Sequence, residues 1–167
     1  MGELTGVRFV SGPSTGAAEA CIHIHWGGPP NEMAVVFEEF FERNEKDYQA
    51  FNLRYDDAGV LAARFVAFMA TYGGYESDPG EDPEFLEING LSVVPDDPQR
   101  QAAEGWWLYT VMCSGGRSRS VARPAVQYHD VMTVPDESDT SKRSVIWQRF
   151  LPLREAADNF DTEKQDG

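Results

Sequence analysis

Residues 21–26 alternate strictly, with Ile22, Ile24 and Trp26 on one side and Cys21, His23 and His25 on the other. A period of two predicts a strand with one apolar face and one face carrying both histidines. Gly27-Gly28-Pro29-Pro30 then stops the strand, and the period becomes that of a helix. Met33, Val36, Phe37, Phe40 and Phe41 form one stripe, with Glu38, Glu39, Glu42 and Arg43 opposite. Upstream, residues 7–10 predict a first strand, and the turn-rich residues 11–16 let it pair with the second as a hairpin. A second helix is expected after Asp56 and Asp57, burying Val60, Leu61, Phe65, Phe68 and Met69 and stopping at Gly73-Gly74.

The second half reads mainly as strands. Residues 85–88 and 91–94 flank Asn89-Gly90, a hairpin signal. Residues 106–113 are dense in aromatic and β-branched side chains, the strongest strand pattern in the chain. After the glycine-rich residues 114–118, residues 121–132 can pair back, with Pro124 at an edge or bulge. Residues 96–105 and 136–142 read as polar connections, and 145–151 as a last apolar element of either type. Strands, two helices, then strands predict an α+β fold: a mainly antiparallel β-sheet with a pair of helices packed on one face. One domain is expected over 1–154. Residues 155–167 are expected to be a polar, disordered tail, offering only Phe160 to a core.

Charge narrows the partners. The chain carries 28 acids and 14 bases, a net −14, which on average repels a duplex or an anionic membrane, so direct nucleic-acid binding is not expected. The acids crowd residues 76–104, a stretch that reads as solvated loop or as a surface for a basic partner. No apolar run reaches membrane-spanning length, and the first residues lack a basic segment followed by an apolar one. With two cysteines too few for a disulfide scaffold, a cytoplasmic setting with reduced thiols is expected.

Two constellations carry candidate chemistry. His23 and His25 leave one strand face together, and His129 is the only other histidine. Three neutral imidazoles would suit zinc, iron or copper in an open site, while histidines hydrogen-bonded within a half-buried sheet would need no metal. Cys113-Ser114-Gly115-Gly116-Arg117-Ser118-Arg119-Ser120 contains C-x-x-G-x-x-R-S. That string resembles the signature loop of cysteine-dependent dual-specificity phosphatases. The resemblance implies Cys113 as thiolate nucleophile and Arg119 as phosphate clamp, with a helix opened by the loop. Met112 stands where that family has histidine, and Pro124 falls inside the implied helix. A plain hairpin turn fits the same residues.

A longer resemblance covers residues 20–130. His25-Trp26-Gly27-Gly28-Pro29-Pro30 is similar to the H-W-D-G-Y-P strand-turn of small, largely uncharacterised proteins common in bacteriophages and actinobacteria. Gly27 and Pro29 replace its Asp and Tyr. Residues 61–66 look like that family's second helix and 107–111 like its aromatic strand. The resemblance implies a phage or mobile-element accessory protein. The expectation is therefore a non-enzymatic binding or interaction protein, with no cofactor and a protein or small-molecule partner. Its ligand-binding residues would be His25, Trp26, Gly27 and Gly28. The alternatives are a phosphatase using Cys113 and Arg119, a metal-dependent enzyme using His23, His25 and His129, and an acidic decoy.

Overall fold

The structure, a computed structural model, describes residues 3–12, 16–49, 52–71, 90–113 and 122–165. The elements run β1 (Glu3–Ser11), β2 (Ala20–Gly27), α1 (Pro30–Asp47), α2 (Ala58–Thr71), β3 (Leu91–Val94), α3 (Pro98–Ala103), β4 (Trp107–Cys113), β5 (Ala125–Pro135), β6 (Arg143–Pro152) and α4 (Leu153–Gln165). The fold is α+β. Six strands form one sheet in the order β3-β2-β1-β4-β5-β6. It is mixed but mostly antiparallel, because β1 and β4 run parallel while the other neighbours oppose.

Local chemistry explains the helix starts. Pro30 occupies the first turn of α1, where a missing N–H costs nothing, and Glu32 and Lys46 sit at the ends that suit their charges. Asp57 accepts the Val60 N–H at 3.0 Å and begins α2; Asp97 accepts the Arg100 N–H at 3.2 Å and begins α3. The stripe Met33, Phe37, Phe40, Phe41 and Asn44 is buried, as are Leu61, Phe65 and Phe68. Phe65 meets Phe9, Phe37 and Phe40 at ring-centroid distances of 5.5, 5.6 and 5.2 Å, and Phe37 meets Tyr109 at 6.0 Å. Val7, Phe9, Ile22, Ile24, Tyr109 and Val111 join the same core.

The alternate strand residues define the opposite side of the sheet. Paired registers place Cys21, Arg8, Thr110 and Gln127 in one row, and Ser92, His23, Gly6 and Leu108 in the next. The segment from Asp96 to Trp106 contacts that side through hydrogen bonds and ring packing.

The structure departs from the sequence reading in several places. The polar tail expected from residue 155 is helix α4. Leu153, Ala156 and Ala157 are buried, and the Phe160 ring meets Trp107 edge-on at 5.9 Å. The spacing 153, 156, 157, 160 is helical, but two of its members are alanines, so the stripe is faint in the sequence. The connection at 96–105 contains α3, and the apolar element at 145–151 is part of β6. The expected strand at 85–88 and the stop at Gly73-Gly74 lie outside the described residues.

Candidate functional site

The outward face of β2 is the richest in exposed and orphaned chemistry. The His23 ring packs on Trp106 at 4.8 Å and meets His25 edge-on at 6.2 Å. Its Nδ1 shares a 3.2 Å hydrogen bond with Ser92 Oγ on β3. Gly6 on β1 makes this packing possible: a Cβ there would come within 2.9 Å of Leu108 Cδ2 and 3.4 Å of the Trp106 ring. Burial, aided by the charge of His25, lowers the His23 pKa from its ordinary value, which favours a neutral ring. His23 Nε2 and Trp106 Nε1 are both buried without a protein partner. His25 is exposed. The rings thus form a ladder from the half-buried Trp106, through His23, to the surface at His25.

A bulge shapes the outer end of the ladder. Thr5 pairs with Ile24 and Glu3 with Gly27, so His25 and Trp26 together oppose Leu4. The strict alternation seen in the sequence ends here. Gly27 lies so close to the Thr5 side chain that any Cβ would clash with it. The Tyr109 hydroxyl donates to the Gly28 carbonyl at 2.7 Å, pinning the start of the glycine-proline turn to β4. Gly28, Pro29 and Pro30 are buried and Gly27 is half-buried, while His25 faces solvent. The Trp26 side chain lies outside the described residues.

Beside the ladder lies a partly buried ion pair that the sequence reading missed. Arg8, 4% exposed, donates from Nε to Asp96 Oδ1 at 2.6 Å and from Nη2 to Asp96 Oδ2 at 3.0 Å. It also donates to Thr110 Oγ1 and to the Gly16 carbonyl. The Ala18 N–H donates to Asp96 Oδ2 at 2.8 Å. Burial alone would raise the Asp96 pKa, but the bonds from Arg8 and Ala18 outweigh it and hold the carboxyl below its ordinary value. Next to this pair, Gln101 donates to Cys21 Sγ at 3.8 Å and to the Pro95 carbonyl at 3.2 Å. The signal in the sequence was Arg8 itself, a lone charge inside Val7-Arg8-Phe9-Val10.

The remaining candidates are scattered. His129 is on β5, separated from β2 by β1 and β4. Three strand spacings put the strand axes about 14 Å apart. His129 is 5% exposed, stacks on Phe150 at 4.6 Å and shares a hydrogen bond with Gln148. Among the described residues no group of three or more metal-ligating side chains comes together. Cys113 ends β4, 1% exposed, and burial pushes its thiol up to about 12. Arg119 and the loop 114–121 lie outside the described residues; beyond them β5 is extended from Ala125, which pairs back with Met112. Of the acidic run, Asp96 binds Arg8, Asp97 caps α3 and Glu104 pairs with Arg100; residues 76–89 lie outside the described residues. No helix among the described residues is long and apolar enough to cross a membrane.

Comparison with protein-family models, with curated proteins and with solved structures found no match.

Proposed function

We propose that this chain is a non-enzymatic binding or interaction protein of the kind phages and mobile elements carry, acting in a cytoplasm. It recognises a protein segment or small molecule at the outer end of β2, through His25 with Trp26 and Gly27, on a turn whose shape the buried Gly28 holds. The observation that carries the reading is the ladder of Trp106, His23 and His25, which ends in an exposed imidazole. Aromatic planes with polar edges are the usual makings of a recognition surface. In this reading α1 and α2 are the pair of helices that closes the other side of the sheet.

The catalytic alternatives draw less support. A thiol whose pKa is pushed up to about 12 holds almost no thiolate near neutral pH, and the thiolate is the nucleophile. A His23–His25–His129 metal site would have to reach across three strand spacings, from β2 to β5. The net charge of −14 weighs against direct nucleic-acid binding.

The test is a ¹H–¹⁵N NMR screen of the full chain against small aromatic and polar compounds, short peptides and vanadate. Binding should perturb residues 23–28 and the Trp106 indole, and His25→Ala should abolish it. Responses centred on Cys113 with vanadate, together with Cys113-dependent turnover of an aryl phosphate, would overturn the reading.

A further inference from the structure

A cavity of about 160 Å³ lies between the C-terminal halves of α1 and α2 and shares no residue with the His25 surface. Phe40 and Phe68, both buried, supply its apolar lining. Tyr48 forms a wall, with the Arg64 guanidinium stacked 3.4 Å from its ring centroid. Arg64 is already committed: its Nη1 donates to Asn44 Oδ1 and to the carbonyls of Asn52 and Leu53 at 2.7–3.0 Å.

The other two charges of the lining are not committed to any partner among the described residues. Arg43 and Asp47 are exposed and stand one turn apart on α1. Their side chains make no hydrogen bond or ion pair with any described residue. Arg before Asp is the weaker order for an i,i+4 pair, so the helix gives them little reason to close on each other. The cavity therefore offers one cation and one anion beside an aromatic lining.

We propose that this cavity binds a free α-amino acid with an aliphatic side chain of about leucine size. Arg43 receives the α-carboxylate, which suits a guanidinium fork. Asp47 receives the α-ammonium, and the carbonyl end of α1 favours the same positive charge. The aliphatic body rests on Ala67, Tyr48 and the edge of Phe68, with Phe40 buried beneath. The volume fits: a cavity of about 150 Å³ holds one benzene-sized group, and the charged head remains at the mouth.

Leucine is titrated into the full chain and followed by calorimetry and by the amides of Arg43, Asp47 and Thr71. Comparison ligands are 4-methylpentanoic acid, which lacks the ammonium, 3-methylbutylamine, which lacks the carboxylate, and N-acetyl-leucine amide, which lacks both charges. Leucine should saturate at millimolar concentration, and each analogue should bind about tenfold more weakly or worse. Arg43→Ala should erase the preference for leucine over the amine, and Asp47→Ala its preference over the acid. Both variants should melt like the parent, since both residues are exposed. The proposal is overturned if leucine fails to saturate at tens of millimolar, or if the uncharged amide binds equally well. Leucine shifts confined to residues 23–28 would also overturn it, while leaving the β2 surface reading intact.

Discussion

Replacing Phe65 with alanine probes the packing that positions both β2 and the cavity. Phe65 is 0% exposed and lies between Phe9 of β1 and Phe37 and Phe40 of α1. Truncation removes the ring's transfer free energy and leaves a void with rigid aromatic walls that cannot collapse fully, a loss of about 3–5 kcal/mol. For a chain of this size each kcal/mol shifts the midpoint by about 2–4 °C, so Tm should fall by roughly 6–20 °C. Urea unfolding followed by tryptophan fluorescence and far-UV circular dichroism measures the change directly. The midpoint should move with the slope unchanged. Val93→Ala, at a residue 75% exposed, is the control and should stay within about 0.5 kcal/mol. A Phe65→Ala loss under about 1 kcal/mol, against the 3–5 that burial implies, would refute the core described above.

Ending the chain after Ala156 removes the Phe160 ring, whose half-burial and contact with Trp107 together are worth about 2–3 kcal/mol. Thermal melts should therefore fall clearly, and an unchanged Tm would mean that α4 does not dock. Asp96→Ala leaves the buried Arg8 without its carboxylate, though still bonded to Thr110 and Gly16, and should cost about 1–3 kcal/mol at neutral pH. Because folding depresses the Asp96 pKa, its stabilisation is present above the ordinary carboxylate range and lost as pH falls through the folded value. Parent and variant stabilities should therefore converge on acidification, and a pH-independent gap would contradict the ion pair. Cys113 should react with iodoacetamide at neutral pH only on the timescale of unfolding, with no protection by vanadate; fast alkylation of the folded protein would show an open thiol.

Much of the fold is local and therefore readable in the sequence. The alternation up to Ile24, the stop at Gly27-Gly28-Pro29-Pro30, the α1 stripe and Asp57 before α2 each record their own element. The parallel pairing of β1 with β4 joins residues about a hundred positions apart, and no turn between them encodes it. Helix α4 hid because alanines carry half of its buried stripe. At the candidate site, the histidines were legible from the strand period, but the bulge that ends the alternation depends on pairing with Leu4 and is not. Asp96 comes from a segment whose polar composition reads as solvated loop and Trp106 reads as the first residue of the strand that follows, yet their partners Arg8 and His23 lie on strands distant in sequence. Cys113 reads both as the end of the 106–113 strand and as the start of a phosphate loop; it is the last residue of a strand whose odd positions face the core, and its burial follows from that.

The proposed binding surface depends on His23 and His25 forming one ladder with Trp106, apart from His129. Histidine-ring NMR titration of the full chain and of His25→Ala tests that arrangement most directly. Burial and the neighbouring His25 charge both lower the His23 pKa, whereas the His129 pKa is lowered chiefly by burial, with Gln148 and not His25 beside it. Removing His25 should therefore raise the His23 pKa part of the way toward its ordinary value, shift the Trp106 indole resonance and leave His129 unmoved. A His129 pKa that moves with the substitution, or a His23 pKa that does not, would contradict the ladder and with it the proposed binding surface.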